Sequence, residues 1–191
     1  MPIEARQGEG DRRAEFLPPK VLPLFGDAFV RSCDLFEEYV FRLTLEVVRR
    51  AELAPALRTP ASTGEALARA GLDGRVAPVP LDWILRELAA RGVLVAKDDD
   101  GLARYRIEGA LPELDAASVL EEQRRHDPAA LPSYAIAALA AEHYPAVLRG
   151  ETTGERVLFG PERIVTAAEN NVLYTLDGQP ALERAEQVLR E

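Results

Sequence analysis

Between Pro80 and Ile107 the sequence carries a helical pattern that runs directly into two short β patterns, and this junction constrains the fold more than any other segment. Leu81, Ile84, Leu85 and Leu88 recur at helical spacing and make one apolar face. Pro80 suits a first helical turn, where a missing N–H costs nothing, and Gly92 supplies a left-handed stop. The strand patterns ending at Val95 and beginning at Arg104 flank Asp98-Asp99-Asp100-Gly101, whose Asp-Gly pair predicts a tight hairpin turn. Upstream, Ser62-Thr63-Gly64-Glu65 is a capping-box start for a short helix carrying Leu67 and Ala68, closed near Gly71 and Gly74.

Helix, helix and hairpin in that order predict a mainly α fold in which a winged-helix domain, with a small β-hairpin as its wing, spans about 25–110. The longest helical pattern precedes it, from about Asp27 to Ala51. Phe29, Cys33, Phe36, Val40, Leu43 and Val47 recur at alternating spacings of four and three. A second apolar set, Leu35, Tyr39, Leu45 and Val48, lies largely off that stripe, so the helix is expected to be buried on two sides. A partner chain is the economical cover for the second side. This predicts a two-fold homodimer contacting through Phe29, Phe36, Val40, Leu43 and Val47, the alternative cover being the C-terminal helices of the same chain. Cys33, on the stripe, is expected to be a buried structural thiol.

Residues 1–24 form an arm, polar from Glu4 to Arg13 and then apolar, in which Pro18, Pro19 and Pro23 forbid a stable helix. Residues 111–191 read as a helical, lid-like region. Asp115 caps a helix through Arg125, and Pro132 opens another to Arg149 with Pro145 as a kink and Gly150 as its stop. A polar turn over 151–155 leads to the apolar Val157-Leu158-Phe159. Gly160-Pro161 starts a helix that Asn170-Asn171 ends, and Pro180 opens the last one.

With 191 residues and 47% hydrophobic content the chain can bury a proper core. Its 32 acidic residues against 23 basic ones give a formal charge of −9, a field that repels phosphate. The single cysteine excludes an internal disulfide framework and fits a reducing, cytoplasmic setting. No stretch reaches the roughly 18 apolar residues of a spanning helix, so no membrane partner is expected.

Nucleic-acid recognition needs phosphate neutralisation and side chains that read base edges. The Leu81–Arg91 helix offers Arg86 and Arg91 but also Asp82 and Glu87, with no Asn, Gln, Ser or Thr, and the wing sets three aspartates beside Lys97, Arg104 and Arg106. Nucleic acid is therefore an unlikely partner. Of the two histidines, His126 sits at a helix end, where a cationic ring is favourable. His143, inside an apolar helix beside Pro145, is either a structural histidine or a pocket group acting in proton transfer or hydrogen bonding. Asn170, Asn171 and Tyr174 either stop a helix or line that pocket with His143 and Tyr134. Two histidines far apart without a ligand-spaced acidic cluster predict no metal site. No glycine-rich turn follows an apolar strand, so no nucleotide-binding catalytic domain and no cofactor site is expected within the sequence, and no catalytic residue is assigned.

Leu81-Asp82-Trp83-Ile84-Leu85-Arg86-Glu87-Leu88-Ala89-Ala90-Arg91-Gly92-Val93-Leu94 and the strand Tyr105-Arg106-Ile107 resemble the N-terminal winged-helix region of class I S-adenosylmethionine-dependent methyltransferases, including O-methyltransferases and methyltransferases embedded in polyketide synthases. Leu131-Pro132-Ser133-Tyr134, Ala141-Glu142-His143-Tyr144-Pro145, Leu148-Arg149-Gly150-Glu151 and Val157-Leu158-Phe159-Gly160-Pro161 resemble the lid helices of the polyketide-associated members. The likeness covers about 25–191. It implies a non-catalytic dimerisation and substrate-lid region, S-adenosylmethionine as cofactor of a full-length enzyme, a C-terminal methyltransferase domain as partner, and a small-molecule or carrier-bound substrate. In that family a glycine-rich cofactor loop follows, whereas this sequence stops at Glu191. The alternatives are a winged-helix transcriptional regulator and a stand-alone protein-interaction adaptor.

Overall fold

Helix α1 (Asp27–Arg50) is the axis on which the other elements pack. A computed structural model of the chain describes residues 18–20 and 22–159. Most of the N-terminal arm, and Asn170, Asn171, Tyr174 and the helices expected after Gly160, lie outside the described residues. At the end of the arm, Leu22–Phe25 forms one 3-10 turn. Pro23 fits there because the N–H groups of a first turn have no partner within the helix.

The C-terminal half of α1 is buried around most of its circumference: Phe41, Leu43, Thr44, Leu45, Val47 and Val48 are all inside. One side is covered by the short helix α2 (Leu53–Ala56) and by α4 (Pro78–Ala90), the other by α5 (Ala116–His126) and α6 (Leu131–Leu148). Cover by the chain's own C-terminal helices, the alternative to a partner, thus accounts for the two-sided apolar pattern in this half. The N-terminal turns are different. Phe29 is 46% exposed, and Cys33, expected to be buried, is exposed, because the helices that wrap the far end leave this edge of the stripe open.

Local signals set the next elements. Helix α3 (Thr63–Arg69) begins with the anticipated capping box: Ser62 Oγ accepts from Glu65 N at 3.3 Å, while Glu65 Oε2 accepts from Ser62 N at 2.8 Å. Helix α4 starts at Pro78, two residues earlier than the spacing predicts, since both Pro78 and Pro80 fall in the first turn where no donor is missed. Gly92, at φ +73°, ends it, and Val93 N–H reaches back to Leu88 O at 2.8 Å. Strands β1 (Leu94–Asp99) and β2 (Leu102–Ile107) then pair antiparallel from Leu94↔Ile107 to Asp99↔Leu102. The two-residue loop puts Asp100 at φ 53° and Gly101 at φ 82°, the double left-handed geometry that favours Asp-Gly. Ala61 bridges to Tyr105 and adds a one-residue third strand.

Asp115 caps α5 by accepting from Ala117 N and Ser118 N. Helix α6 runs unbroken through Pro145 and stops at Gly150, φ +72°. Helix α7 (Gly154–Phe159) stands where the pattern predicts a polar turn and an apolar segment. Its signal is Thr153, whose Oγ1 accepts from Arg156 N at 3.1 Å, as an N-cap residue does. The fold is mainly α, and one hydrophobic cluster runs from Leu35 to Leu148, so residues on both sides of position 110 share a core. No helix among the described residues is long and apolar enough to cross a membrane.

Candidate functional site

Where α1, α4 and α6 meet, their side chains leave an apolar groove of about 290 Å³. Helix α1 contributes Val40, Leu43, Thr44 and Val47, at the i, i+3, i+4, i+7 spacing of one face. Helix α4 contributes Ile84 from its buried face and Trp83 from its edge, 49% exposed. Helix α6 contributes Ala137, Ala140, Ala141 and Tyr144. The alanines create the space, because a larger residue at any of them would reach toward α1. No lining residue carries a charge. The Thr44 hydroxyl is already spent, donating to Val40 O at 2.8 Å. Burial raises the pKa of the Tyr144 phenol above its usual value, so at neutral pH it is a protonated donor.

Beside the groove lies a closed polar network. Gln123 is 0% exposed, and its amide nitrogen donates to Ser32 Oγ at 2.7 Å and Asp127 O at 2.9 Å. Its amide oxygen accepts from Tyr134 Oη at 3.1 Å. Tyr134, 1% exposed, packs between Phe36 (ring centroids 5.2 Å apart) and Tyr39 (4.7 Å). Burial first, then the neighbouring Tyr39, Cys33 and Glu122, pushes its phenol up to about 12. These bonds hold α5 and α6 on α1. Arg42 adds to the fastening by donating to Glu38, Asp115 O and Ser118 Oγ. His126 Nε2 lies 2.8 Å from Ala28 O, so the histidine expected at a helix end ties α5 to the first turn of α1.

Of the residues expected around a His143 pocket, Asn170, Asn171 and Tyr174 lie outside the described residues, and Tyr134 and His143 are described. Tyr134 is sealed in the polar network, while His143 is half-buried on α6 and does not line the groove. Of the residues expected at a dimer contact, Leu43 and Val47 are buried within the chain, Phe36 packs on Tyr134, and Val40 lines the groove. Among the described residues no cluster of three or more histidine, cysteine, aspartate or glutamate side chains is placed to hold a metal ion. Sequence reading missed Trp83 and Tyr144 as site residues, and also Gln123.

The surface a winged helix would turn to nucleic acid is laced with ion pairs. Arg86 binds Asp82 at 2.8 Å, and Arg91 binds Glu87 at 3.0 Å while stacking over Phe41. Arg104 bridges Glu65 at 2.7 Å and Asp99 at 2.8 Å, and Arg106 pairs with Glu108. Hydrogen bonds from Ser62 N and Arg104 hold the Glu65 carboxyl below the usual carboxylate range. Each pair offsets a charge that phosphate binding would need.

The described helices and hairpin share their fold with part of a solved structure. The crystal structure of the CurJ carbon methyltransferase superposes with a TM-score of 0.63 at 14% sequence identity, over 78% of this chain and 38% of that one. This chain therefore spans well under half the length of the protein it resembles. Neither a family model nor a curated protein matches the sequence.

Proposed function

We propose that this chain acts as the non-catalytic helical lid and dimerisation region of an S-adenosylmethionine-dependent methyltransferase that modifies a polyketide-type or other small acyl substrate. The likeness in fold to 38% of the CurJ carbon methyltransferase carries this reading. Two further features support it. The sequence has no glycine-rich turn for a nucleotide cofactor, and an uncharged groove faces solvent between the helices. The ion-paired cations of α4 and the hairpin favour it over a DNA-binding regulator. Self-association uses the open N-terminal turns of α1, where Phe29 and Val30 are exposed beside Cys33.

Isothermal titration of the chain with S-adenosylmethionine is expected to give no saturable heat; a micromolar dissociation constant would overturn the non-catalytic assignment. Titration with random duplex DNA at low salt is expected to give none either, and binding with a steep salt dependence would move the assignment to a regulator. Light scattering is expected to report a dimer at tens of micromolar that Phe29→Asp converts to monomer, by placing a charge in an apolar contact. A wild-type monomer at that concentration would remove dimerisation from the reading.

A further inference from the structure

Proline inside a helix removes one backbone donor, and its ring crowds the carbonyl four residues back, so a helix interrupted this way ordinarily kinks. Pro145 opens the last turn of α6 and deprives Ala141, whose carbonyl has no N–H at position 145 to accept from. Ala141 is 6% exposed, so water is a poor substitute. The donor comes from another helix. Arg50, the last residue of α1, brings Nη2 to 3.0 Å from Ala141 O. The exchange is reciprocal: the Arg50 carbonyl, at a helix end where the ladder supplies no donor, accepts from Arg149 Nη2 at 3.4 Å. Each arginine thus serves the backbone of the other helix on either side of the proline.

What the break controls lies on both sides of it. Ala141 and Tyr144, which bracket the lost hydrogen bond, line the groove against α1. Beyond Pro145 the last turn of α6 ends at Gly150, and α7 packs back on α6. A bend between Ala141 and Pro145 therefore changes the groove wall and the direction of α7 together. The proline is permanent, but the replacement donor is not: Arg50 is exposed over much of its surface, so its guanidinium can exchange Ala141 O for water.

We propose that Arg50 is a latch across the proline break of α6. With its guanidinium on Ala141 O the helix runs straight, and with the latch open it bends at 141–145 and turns α7 relative to α1. This goes beyond the lid reading and rests only on contacts within the chain, so the two can fail separately.

The test is native-state hydrogen exchange on the full chain, with Pro145→Ala as the deciding background because it restores the missing N–H. Arg50→Met keeps an unbranched stem and removes the donor. It is expected to accelerate exchange of the 146–151 amides by about tenfold or more, the worth of one charge-assisted hydrogen bond, while exchange around Tyr134 stays as in wild type. Energy transfer from Trp83, the sole tryptophan, to a dye on Glu155→Cys at an exposed position of α7 is expected to change with it, in a Cys33→Ser background. In Pro145→Ala, Arg50→Met is expected to alter neither readout. Unchanged exchange in Arg50→Met, or the same acceleration with and without Pro145, would overturn the latch, the second by showing that Arg50 does not stand in for the proline's missing donor. Faster exchange with unchanged transfer would overturn it too, since α7 would then hold its direction without Arg50. Should Arg50→Met alone fail to fold, a folded Arg50→Met/Pro145→Ala variant would support the latch and an unfolded one would refute it.

Discussion

Removing the Tyr134 hydroxyl tests whether the buried network, rather than apolar packing alone, holds α5 and α6 on α1. In Tyr134→Phe the ring remains against Phe36 and Tyr39, so the packing contribution is retained. What changes is Gln123. Its amide oxygen, in a side chain with no exposure, loses its donor at 3.1 Å and cannot turn to solvent. A flipped amide is no remedy, because the nitrogen already serves Ser32 and Asp127. Stranding one buried neutral acceptor costs about 1–3 kcal/mol. For a chain of this size each kcal/mol lowers the melting temperature by about 2–4 °C, so a fall of roughly 2–12 °C is expected.

Gln123→Leu makes the complementary lesion by stranding the phenol, and its cost is expected to be similar or larger because three hydrogen bonds go at once. The double variant decides the matter. With both partners apolar, neither is left unsatisfied, so Tyr134→Phe/Gln123→Leu is expected to be less destabilised than the sum of the single changes by about 1–2 kcal/mol. Urea unfolding followed by circular dichroism provides the three free energies. Strict additivity would refute the network as an energetic unit, and a Tyr134→Phe variant as stable as wild type would refute the hydrogen bond itself.

The same tyrosine predicts alkaline sensitivity. An unfolded tyrosine ionises near 10 whereas folded Tyr134 holds its proton to about 12, so its contribution is complete below pH 10 and is lost as pH rises toward 12. The slope for one group is at most about 1.4 kcal/mol per pH unit. Melting curves from pH 8 to 12 are expected to be shallower for Tyr134→Phe than for wild type, with the remaining slope owed in part to Tyr39 and Tyr144, whose burial also raises them; equal slopes would place the titration elsewhere. Cys33, being exposed, is expected to react with Ellman's reagent in the native chain within about tenfold of its rate in denaturant, and strong native protection would contradict its position on α1. His143→Ala is expected to cost less than about 1 kcal/mol, because the ring is half-buried and its nitrogens bond to no other described residue; a loss of about 1–3 kcal/mol in thermal unfolding would show a structural histidine instead.

The features legible in the sequence are those whose physics is local. Ser62 and Glu65 satisfy each other's backbone across one turn, Asp100-Gly101 adopts a double left-handed geometry that joins two twisted strands in two residues, and Gly92 and Gly150 end helices from left-handed positions. None of these depends on what lies across the core. The stripe on α1 is different, because periodicity shows how wide an apolar face is and says nothing of what covers it. Leu43 and Phe29 look alike in the pattern, yet the first is buried by the chain's own helices and the second is half in solvent. Gln123 sits in Glu121-Glu122-Gln123-Arg124-Arg125, which reads as a solvated run, and the Ser32 and Tyr134 hydroxyls and the Asp127 carbonyl make its burial possible. The groove is further still from local reading. It exists because Ala137, Ala140 and Ala141 do not fill a junction between three helices, and an alanine in a helix signals good propensity before it signals missing volume. Trp83 follows the same logic: it lies off the apolar face of α4 made by Leu81, Ile84, Leu85 and Leu88, so the pattern assigns it to the surface. Once α6 brings its alanines opposite, that surface position becomes a wall.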